Sequence, residues 1–182
     1  FFLSTFIFCQ DNNPGLTVDW IHTDEAKAMS AVHRYVWLDN NTAILYDPSK
    51  PLKDRDFKVL DPKNPNVLTP LFNVKKAVES LNEILDDTLD GLDWPISFDS
   101  KGEKALYNFK GDIFLLDIKT SVFKKITNTL EEEKSPRLSP DGKRIAYVRK
   151  NDLITYSILN NREKTLTKSG SETLLNGTLS WV

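Results

Sequence analysis

Apolar and polar residues alternate along LSPDGKRIAYVRKNDL, the stretch from Leu138 to Leu153. Asp141-Gly142 has the composition of a tight turn, and a second turn is indicated at positions 150–152. Between the turns, Ile145 and Tyr147 follow the two-residue period of a strand. The stretch therefore predicts a β-hairpin.

The same pattern occurs 40 residues earlier without a gap. The coinciding pairs are Gly102 and Gly142, Tyr107 and Tyr147, Lys110 and Lys150, Asp112 and Asp152, Ile118 and Ile158, Lys124 and Lys164, and Thr127 and Thr167. A weaker third copy lies upstream, where Tyr46 follows Asn41 by five residues, as Tyr107 follows Gly102. Each unit contains several short strands joined by turns, so the chain is built from repeats.

A repeat near 40 residues with several strands per unit is typical of a β-propeller blade. Ala146 and Val148 alternate with Ile145 and Tyr147, so both sides of this strand carry apolar atoms, as in a sheet covered on both faces. We predict an all-β fold, a partial β-propeller of about three four-stranded blades near 35–62, 97–128 and 137–168. The alternative is two similar hairpins in an ordinary β-sandwich.

A helical period interrupts the β pattern at residues 72–89. Apolar residues recur there on one face, and Asn73 is placed to cap the start. We predict an amphipathic helix inserted between two blades and docked on the rim or side of its own domain. Its acidic tail, Asp86, Asp87, Asp90 and Asp93, lacks the spacing of a calcium loop and is interpreted as a solvated helix end.

The opening FFLSTFIFC is almost wholly apolar and then turns polar. Residues 1–10 are therefore interpreted as the remnant of a secretory signal cut near Cys9, and 11–182 as the N-terminal part of the propeller. A lipid-attached Cys9 and a buried first strand are the alternatives. We expect a secreted or periplasmic protein.

Composition excludes several kinds of site. A single Cys and two His residues, His22 and His33, rule out a disulfide framework or a zinc cluster within these residues. The net charge of −2 gives no sign of a nucleic-acid partner. Both histidines are interpreted as structural, and no metal, cofactor or catalytic residue is predicted in the chain.

Two stretches, LSPDGKRIAYVRKNDL and LTKSGSETLLNGTLSWV, resemble the N-terminal propeller of the dipeptidyl peptidase IV-like serine peptidases, in the prolyl oligopeptidase clan. The specific feature is Asn176-Gly177 followed by Trp181-Val182, which in that family introduces a Tyr-x-Glu-Glu stretch. The helical segment FNVKKAVESLNEIL is similar to one in bacterial members. The resemblance implies that an α/β-hydrolase domain with a Ser-Asp-His triad completes the protein.

The resemblance also implies where the functional groups lie. The triad belongs to the hydrolase domain, and the acidic pair that captures the substrate ammonium group is expected just after Val182. The family places a substrate-contacting Arg in the loop that corresponds to Tyr107–Asp112, where this chain offers only Lys110. The triple Glu131-Glu132-Glu133 is interpreted as a solvated turn between blades.

The expected partners are peptides with a free N-terminus and the hydrolase domain of the same chain, and a homodimer is left open. The expected function is the propeller portion of an exported serine-type dipeptidyl peptidase. The alternative is a non-catalytic propeller of the TolB type that binds proteins. A Tyr-x-Glu-Glu stretch followed much later by Gly-x-Ser-x-Gly in the reading frame would favour the first hypothesis, and a stop after the last blade would favour the second.

Overall fold

The computed structural model describes residues 17–30, 32–85 and 87–178. The predicted signal remnant at 1–10, Asp86 and the closing Trp181-Val182 lie outside the described residues, so those interpretations stay predictions.

Within the described residues the strands form three four-stranded antiparallel sheets, each a simple meander. Blade 1 comprises β1 (Arg34–Trp37), β2 (Ala43–Tyr46), β3 (Phe57–Leu60) and β4 (Leu68–Pro70). Blade 2 comprises β5 (Ser97–Phe98), β6 (Lys104–Phe109), β7 (Asp112–Asp117) and β8 (Val122–Lys125). Blade 3 comprises β9 (Lys134–Leu138), β10 (Arg144–Arg149), β11 (Asp152–Ser157) and β12 (Arg162–Thr165). The all-β, partial-propeller prediction is confirmed.

Helical segments lie before and between the sheets. The short helices α1 (Val18–Ile21) and α2 (Asp24–Ser30) precede blade 1, and a 3-10 turn spans Leu52–Asp54. The inserted helix α3 (Val74–Leu85) lies between blades 1 and 2. Blade 1 extends past the repeat expected at 35–62, because β4 follows a loop at 61–67.

Blades 2 and 3 repeat each other residue for residue. Tyr107 pairs with Phe114 and Tyr147 with Ile154 at the same position of their hairpins. Both hairpins close in two-residue turns, Lys110-Gly111 and Lys150-Asn151, whose positive φ angles are those of the turn that matches strand twist. The predicted equivalence of the two tyrosines, and of Asp112 and Asp152 in the following turns, is therefore confirmed.

Blade 1 departs from the expected alignment by one position. Five residues separate the last paired residues of its first hairpin, Trp37 and Ala43, whereas six separate Phe98 and Ala105 in blade 2. A one-residue shift moves every side chain of a strand to the opposite face. Tyr46 consequently faces blade 2, and Leu45 takes the position that corresponds to Tyr107. The prediction that Tyr46 is the counterpart of Tyr107 is wrong for this reason.

Two apolar clusters hold the three blades together. The first, between blades 1 and 2, is formed by Ile44, Tyr46, Phe57, Ala105, Tyr107, Phe114, Leu116 and Phe123 with residues of α3. The second, between blades 2 and 3, is formed by Leu106, Ile113, Leu115, Leu138, Ile145, Tyr147, Ile154 and Tyr156. Alternate residues of β6 thus serve opposite clusters, which explains why both faces of the strand are apolar.

The turns that join the first and second strands of each blade are linked across blades by backbone hydrogen bonds. The backbone N–H of Asp39 donates to the carbonyl of Ser100 at 2.9 Å, and the N–H of Ser100 donates to the carbonyl of Pro140 at 2.8 Å. These three residues occupy the same position in their three turns. The linked turns hold successive blades in a fixed relation.

Helix α3 packs on its own domain, as predicted. Asn73 Oδ1 accepts a hydrogen bond from the N–H of Lys76 at 3.0 Å and so caps the helix start. Ala77, Val78 and Leu81 are buried in the first cluster. Ser80 Oγ accepts from the backbone N–H of Phe123, in β8, at 2.8 Å. The helix therefore covers the outer edge of blade 2, which would otherwise present unpaired backbone groups.

Replacing Ser80 with Ala should leave the N–H of Phe123 without that acceptor. We expect Ser80→Ala to lower the free energy of unfolding by about 1–2 kcal/mol, measured by urea denaturation. Glu83→Ala, on the exposed side of the same helix, is the control, with an expected change within about 0.5 kcal/mol. Equal effects of the two variants would contradict the role of Ser80 as an edge cap.

The hydroxyl of Tyr107 is buried between blades 1 and 2 with no hydrogen-bond partner among the described residues. Burial raises the pKa of this phenol well above its ordinary value. The hydroxyl of Tyr147, by contrast, donates to Glu163 Oε1. Two tyrosines that match in sequence therefore differ in polar environment.

Tyr107→Phe should leave the free energy of unfolding unchanged or raise it, because it removes a buried group that has no partner. Tyr147→Phe should lower it by about 1.5–3 kcal/mol, since it removes a hydrogen bond to a charged group. Denaturant melts of the two variants test the contrast. A loss in Tyr107→Phe as large as that in Tyr147→Phe would show that the Tyr107 hydroxyl is satisfied.

Candidate functional site

The turns and connections at one end of the sheets converge on a single surface, which we call the hairpin end. It comprises the Lys110-Gly111 turn, the Lys150-Asn151 turn, and the loops 126–133 and 166–178. The N–H of Glu133 donates to the carbonyl of Gly111 at 2.9 Å, which joins loop 126–133 to the first turn. The N–H of Asn176 donates to the carbonyl of Asn151 at 3.0 Å, which joins loop 166–178 to the second turn.

Asp152 holds the second loop in place. Its Oδ1 accepts hydrogen bonds from Thr167 Oγ1 at 2.8 Å, the N–H of Gly170 at 2.9 Å and Asn176 Nδ2 at 3.2 Å. Asn176 Nδ2 also lies 3.1 Å from the carbonyl of Asn151. The residue that begins the Asn-Gly phrase is therefore fixed to the β10–β11 turn by both its backbone and its side chain.

Two glycines allow this loop to lie close to blade 3. A Cβ at Gly170 would come within 2.6 Å of backbone atoms of Asn151. A Cβ at Gly177 would come within 2.9 Å of Val148 Cγ2, and the φ of +78° at Gly177 is one that other residues rarely adopt. Loop 166–178 thus lies close to blade 3 at residues 170 and 177.

Blade 2 holds its outgoing loop, 126–133, in a similar way. Asp112 Oδ1 accepts from the N–H of Thr129 at 3.2 Å, and Thr127 Oγ1 accepts from the N–H of Ile113 at 2.8 Å. Lys125 Nζ lies 2.8 Å from Asp112 Oδ2. Blades 2 and 3 therefore each use an Asp and a Thr, 15 residues apart, to fasten the outgoing loop to the central hairpin.

Lys110 lies at the hairpin end but is already paired. Its Nζ is 3.0 Å from Asp87 Oδ2, and this hydrogen bond lowers the pKa of the Asp87 carboxyl. Lys110 lines a polar pocket of about 280 Å³ together with Thr129–Glu132. The two-residue turn places the Lys110 ammonium group at this surface, but it extends less far than the long loop that the family resemblance implies here.

Glu133 corrects the interpretation of the Glu131–Glu133 loop as a solvated turn. Glu131 and Glu132 are exposed, but the Glu133 side chain is completely buried. Its carboxylate accepts hydrogen bonds from Thr127 Oγ1 at 2.7 Å and Thr129 Oγ1 at 2.8 Å. A buried carboxylate requires such partners, because burying an unpaired charge is costly.

Arg149 completes the charge balance around Glu133. Its Nε donates to Glu133 Oε1 at 2.7 Å, and its two terminal nitrogens lie 3.1 and 2.9 Å from the Glu163 oxygens. The hydrogen bonds from Arg149 lower the pKa of the Glu163 carboxyl. Burial, with the hydrogen bond to Glu163, raises the pKa of Tyr147. This network joins the loop that follows blade 2 to blade 3 through the buried Glu133, and Glu163 forms its exposed side.

The remaining predicted positions lie apart from the hairpin end. His22 is exposed at the end of α1, and His33 Nε2 lies 3.6 Å from Asp47 Oδ2 in blade 1. Asp93 Oδ1 accepts from the hydroxyl of Tyr46 at 2.8 Å, so this part of the acidic tail is a structural contact.

The described residues contain no group of three or more His, Cys, Asp or Glu placed to bind a metal ion. Among the helices described, none has the length and apolar character needed to cross a membrane.

Sequence reasoning found the repeat position of Asp152 but missed its role in holding loop 166–178, and it missed the buried network. A signal for the first was present, since Asp112 precedes Thr127 by the same interval as Asp152 precedes Thr167. No comparable signal marks Glu133, because its burial depends on two threonines and an arginine brought together by folding.

The three four-stranded sheets define part of a β-propeller. Residues 97–182 match the family described as the dipeptidyl peptidase IV (DPP IV) N-terminal region. This match and the structural likeness reported below support an N-terminal region of a dipeptidyl peptidase IV-like protein. No curated protein matches the chain.

Solved structures are similar in fold at low sequence identity. Porphyromonas gingivalis dipeptidyl peptidase 4 gives a TM-score of 0.54 at 15% identity, over 78% of this chain and 20% of that one. The tricorn protease gives a TM-score of 0.48 at 14% identity, over 75% of this chain and 13% of that one. TolB from Acinetobacter baumannii gives a TM-score of 0.45 at 18% identity, over 78% of this chain and 33% of that one. The first likeness establishes the fold alone, and the other two are too distant to carry an argument. The chain spans a fifth of the Porphyromonas gingivalis peptidase.

Proposed function

We propose that this chain is the propeller portion of an exported serine-type dipeptidyl peptidase, in which it anchors and gates peptide substrates. The observation that carries the proposal is the match of residues 97–182 to the dipeptidyl peptidase IV N-terminal region. The activity, the substrates and the hydrolase domain belong to the complete protein and are all part of the proposal.

The geometry of loop 166–178 supports an anchoring role. Asn176 is fixed to the β10–β11 turn, and Gly177 packs on Val148, so the chain leaves blade 3 from a defined point at the hairpin end. In the family the acidic pair follows this phrase by a few residues. Carboxylates that continue from a fixed point are themselves restricted in position, which a substrate-binding pair requires.

An acidic pair at this location would capture the substrate by its N-terminus. Two carboxylates hold an ammonium group through charge-assisted hydrogen bonds, which are shorter and stronger than neutral ones. With the ammonium fixed, only the bond two residues away would reach the catalytic serine, whose attack needs an adjacent base and an oxyanion hole. The enzyme would therefore release dipeptides.

Gating follows from the propeller architecture. A peptide must pass the rim of the blades to reach a serine on a covering domain, so folded proteins would be excluded. Lys110 and the polar pocket beside it lie at the hairpin end, where such a peptide would bind. Lys110 would exchange its ion pair with Asp87 for a carbonyl or carboxylate of the substrate.

Export is proposed from the apolar opening of the sequence, residues 1–10. N-terminal sequencing of the protein recovered from outside the cytoplasm tests it directly. A mature protein that begins near Gln10 supports removal of a signal, whereas a blocked or lipid-modified Cys9 supports the alternative of a lipoprotein.

The activity is tested with the complete reading frame. The protein should release dipeptides from peptides with a free amine, and replacing both acidic residues that follow Val182 with Gln should abolish most of that activity while the fold is kept. An N-acetylated peptide is the matched substrate control and should not be cleaved. A folded protein without dipeptidyl activity would instead favour the protein-binding propeller of the TolB type.

A further inference from the structure

The sequence places glycine directly after asparagine only at Asn176-Gly177, in loop 166–178. The backbone nitrogen that follows an asparagine can attack the carbon of the side-chain amide, and glycine hinders this attack least because it has no Cβ. Water is the only other reactant. The chain therefore carries a dipeptide that can modify itself without an enzyme.

The fold requires glycine at position 177. A Cβ there would come within 2.9 Å of Val148 Cγ2 and 3.3 Å of Leu153 Cδ1, at a φ of +78°. Residues other than glycine rarely adopt such a φ. The reactive dipeptide is therefore a consequence of how closely the loop approaches blade 3 at this point.

The attacking nitrogen belongs to an exposed residue. Gly177 lies on the surface, and its N–H donates no hydrogen bond to any other described residue. No hydrogen bond within the described part of the chain therefore shields this nitrogen from reaction.

The side chain of Asn176, by contrast, is held by the β10–β11 turn. Its Nδ2 lies 3.2 Å from Asp152 Oδ1 and 3.1 Å from the carbonyl of Asn151. Ring closure brings Cγ onto the Gly177 nitrogen and expels Nδ2, so the side chain must leave both partners. One of these hydrogen bonds is to a charged group, which makes it the stronger kind.

We infer that Asn176-Gly177 is a site of spontaneous deamidation, kept intact in the folded protein by the hydrogen bond to Asp152. The reaction proceeds when loop 166–178 opens, and loops open locally at a lower cost than the whole fold. The closed loop therefore protects the asparagine, and each opening exposes it to reaction.

The chemistry needs only the chain and water. The Gly177 nitrogen bonds to Asn176 Cγ, its proton passes through water to Nδ2, and the Cγ–Nδ2 bond breaks to release ammonia. Water then opens the cyclic imide at either of its carbonyls, which leaves aspartate or isoaspartate at position 176. The net change is the uptake of a water molecule and the loss of an ammonia molecule.

Both products weaken the attachment of the loop. Aspartate places a second carboxylate where Nδ2 now donates to Asp152, and like charges at that separation repel. Isoaspartate carries the backbone through the side chain, so Gly177 and the residues after it are displaced. The modification would thereby reduce dipeptidyl activity. This consequence for activity rests on the proposed function, whereas the modification itself does not.

Incubation of the complete protein at mildly alkaline pH tests the inference, because the attacking nitrogen loses its proton more readily there. Peptide mass mapping and enzymatic methylation of isoaspartate identify the converted residue. We expect Asn176 to convert about tenfold or more faster in urea than in native buffer, since unfolding releases a hydrogen bond to a charged group. Asn66, which is exposed and followed by the bulkier Val67, should convert slowly in both.

Asp152→Ala and Asp112→Ala form a matched pair of variants. Each removes the carboxylate that fastens the outgoing loop of its blade, but only Asp152 contacts Asn176. In native buffer Asp152→Ala should convert Asn176 about tenfold faster than the wild-type protein, whereas Asp112→Ala should leave the rate unchanged. The comparison of wild-type protein in urea and in native buffer stands even if Asp152→Ala does not fold.

Several results would overturn the inference. They are an Asn176 that stays unchanged in urea, equal rates in urea and in native buffer, or equal rates in the folded Asp152→Ala and Asp112→Ala variants. Conversion of Asn176 in a protein without dipeptidyl activity would contradict the proposed function and leave this inference standing.

Discussion

Replacing Glu133 with Ala should lower the free energy of unfolding by about 3–5 kcal/mol, the range for breaking one partner out of a buried ion pair. The Glu133 side chain is fully buried, and its loss leaves Arg149, only 16% exposed, without its closest carboxylate. Thr127 and Thr129 would lose an acceptor at the same time. Equilibrium denaturation in urea measures the change.

The neighbouring glutamate provides the control. Glu132→Ala removes an exposed carboxylate whose contact with Lys134 is 4.0 Å long, and surface pairs of this kind contribute about 0–1 kcal/mol. The two substitutions are adjacent and chemically identical, so their difference isolates burial. Equal and small effects would show that Glu133 is solvated and that the blade 2–blade 3 network does not stabilise the fold.

Under the proposed function, replacing Asn176 with Asp should reduce kcat/KM of the complete protein on free-amine substrates on the order of 100-fold, the scale of a small misplacement of a binding group. The substitution removes the donor to Asp152 and places two carboxylates about where a 3.2 Å hydrogen bond now lies. Loop 166–178 would be displaced from the β10–β11 turn, and the acidic residues that follow it would move. The expected change is mainly a higher KM.

Asn66→Asp makes the same chemical change in an exposed loop and should leave kcat/KM unchanged. The melting temperatures of the two variants should be similar, because Asn176 lies in a loop outside both apolar clusters. Full activity in Asn176→Asp, with the fold intact, would show that this loop does not position the substrate-binding residues.

The repeat made most of the fold predictable. An ungapped offset of 40 residues fixed the hairpins of blades 2 and 3, because turn residues and apolar alternation both follow the local chain. Blade 1 was less predictable, since the length of its β1–β2 turn determines which face Tyr46 joins. Tyr46 follows Asn41 by five residues, as Tyr107 follows Gly102, so the sequence interval is the same. The interval does not show that the turn of blade 1 is one residue shorter.

The candidate site was predictable only in part. Asn176-Gly177 stood out because the phrase is specific, whereas its attachment to Asp152 depends on a hydrogen bond between residues 24 apart. Glu133 was misread because the composition of Glu131–Glu133 is that of a solvated turn. Three consecutive carboxylates give no sign that one of them is enclosed by Thr127, Thr129 and Arg149.

The measurement that tests the account most directly is the product released by the complete protein from an unblocked peptide. Mass analysis of the digest should show a dipeptide and a peptide shortened by two residues, and serine-directed inhibitors should abolish both. Release of single residues, internal cleavage or no cleavage by the folded protein would contradict the proposal that this propeller serves a dipeptidyl peptidase.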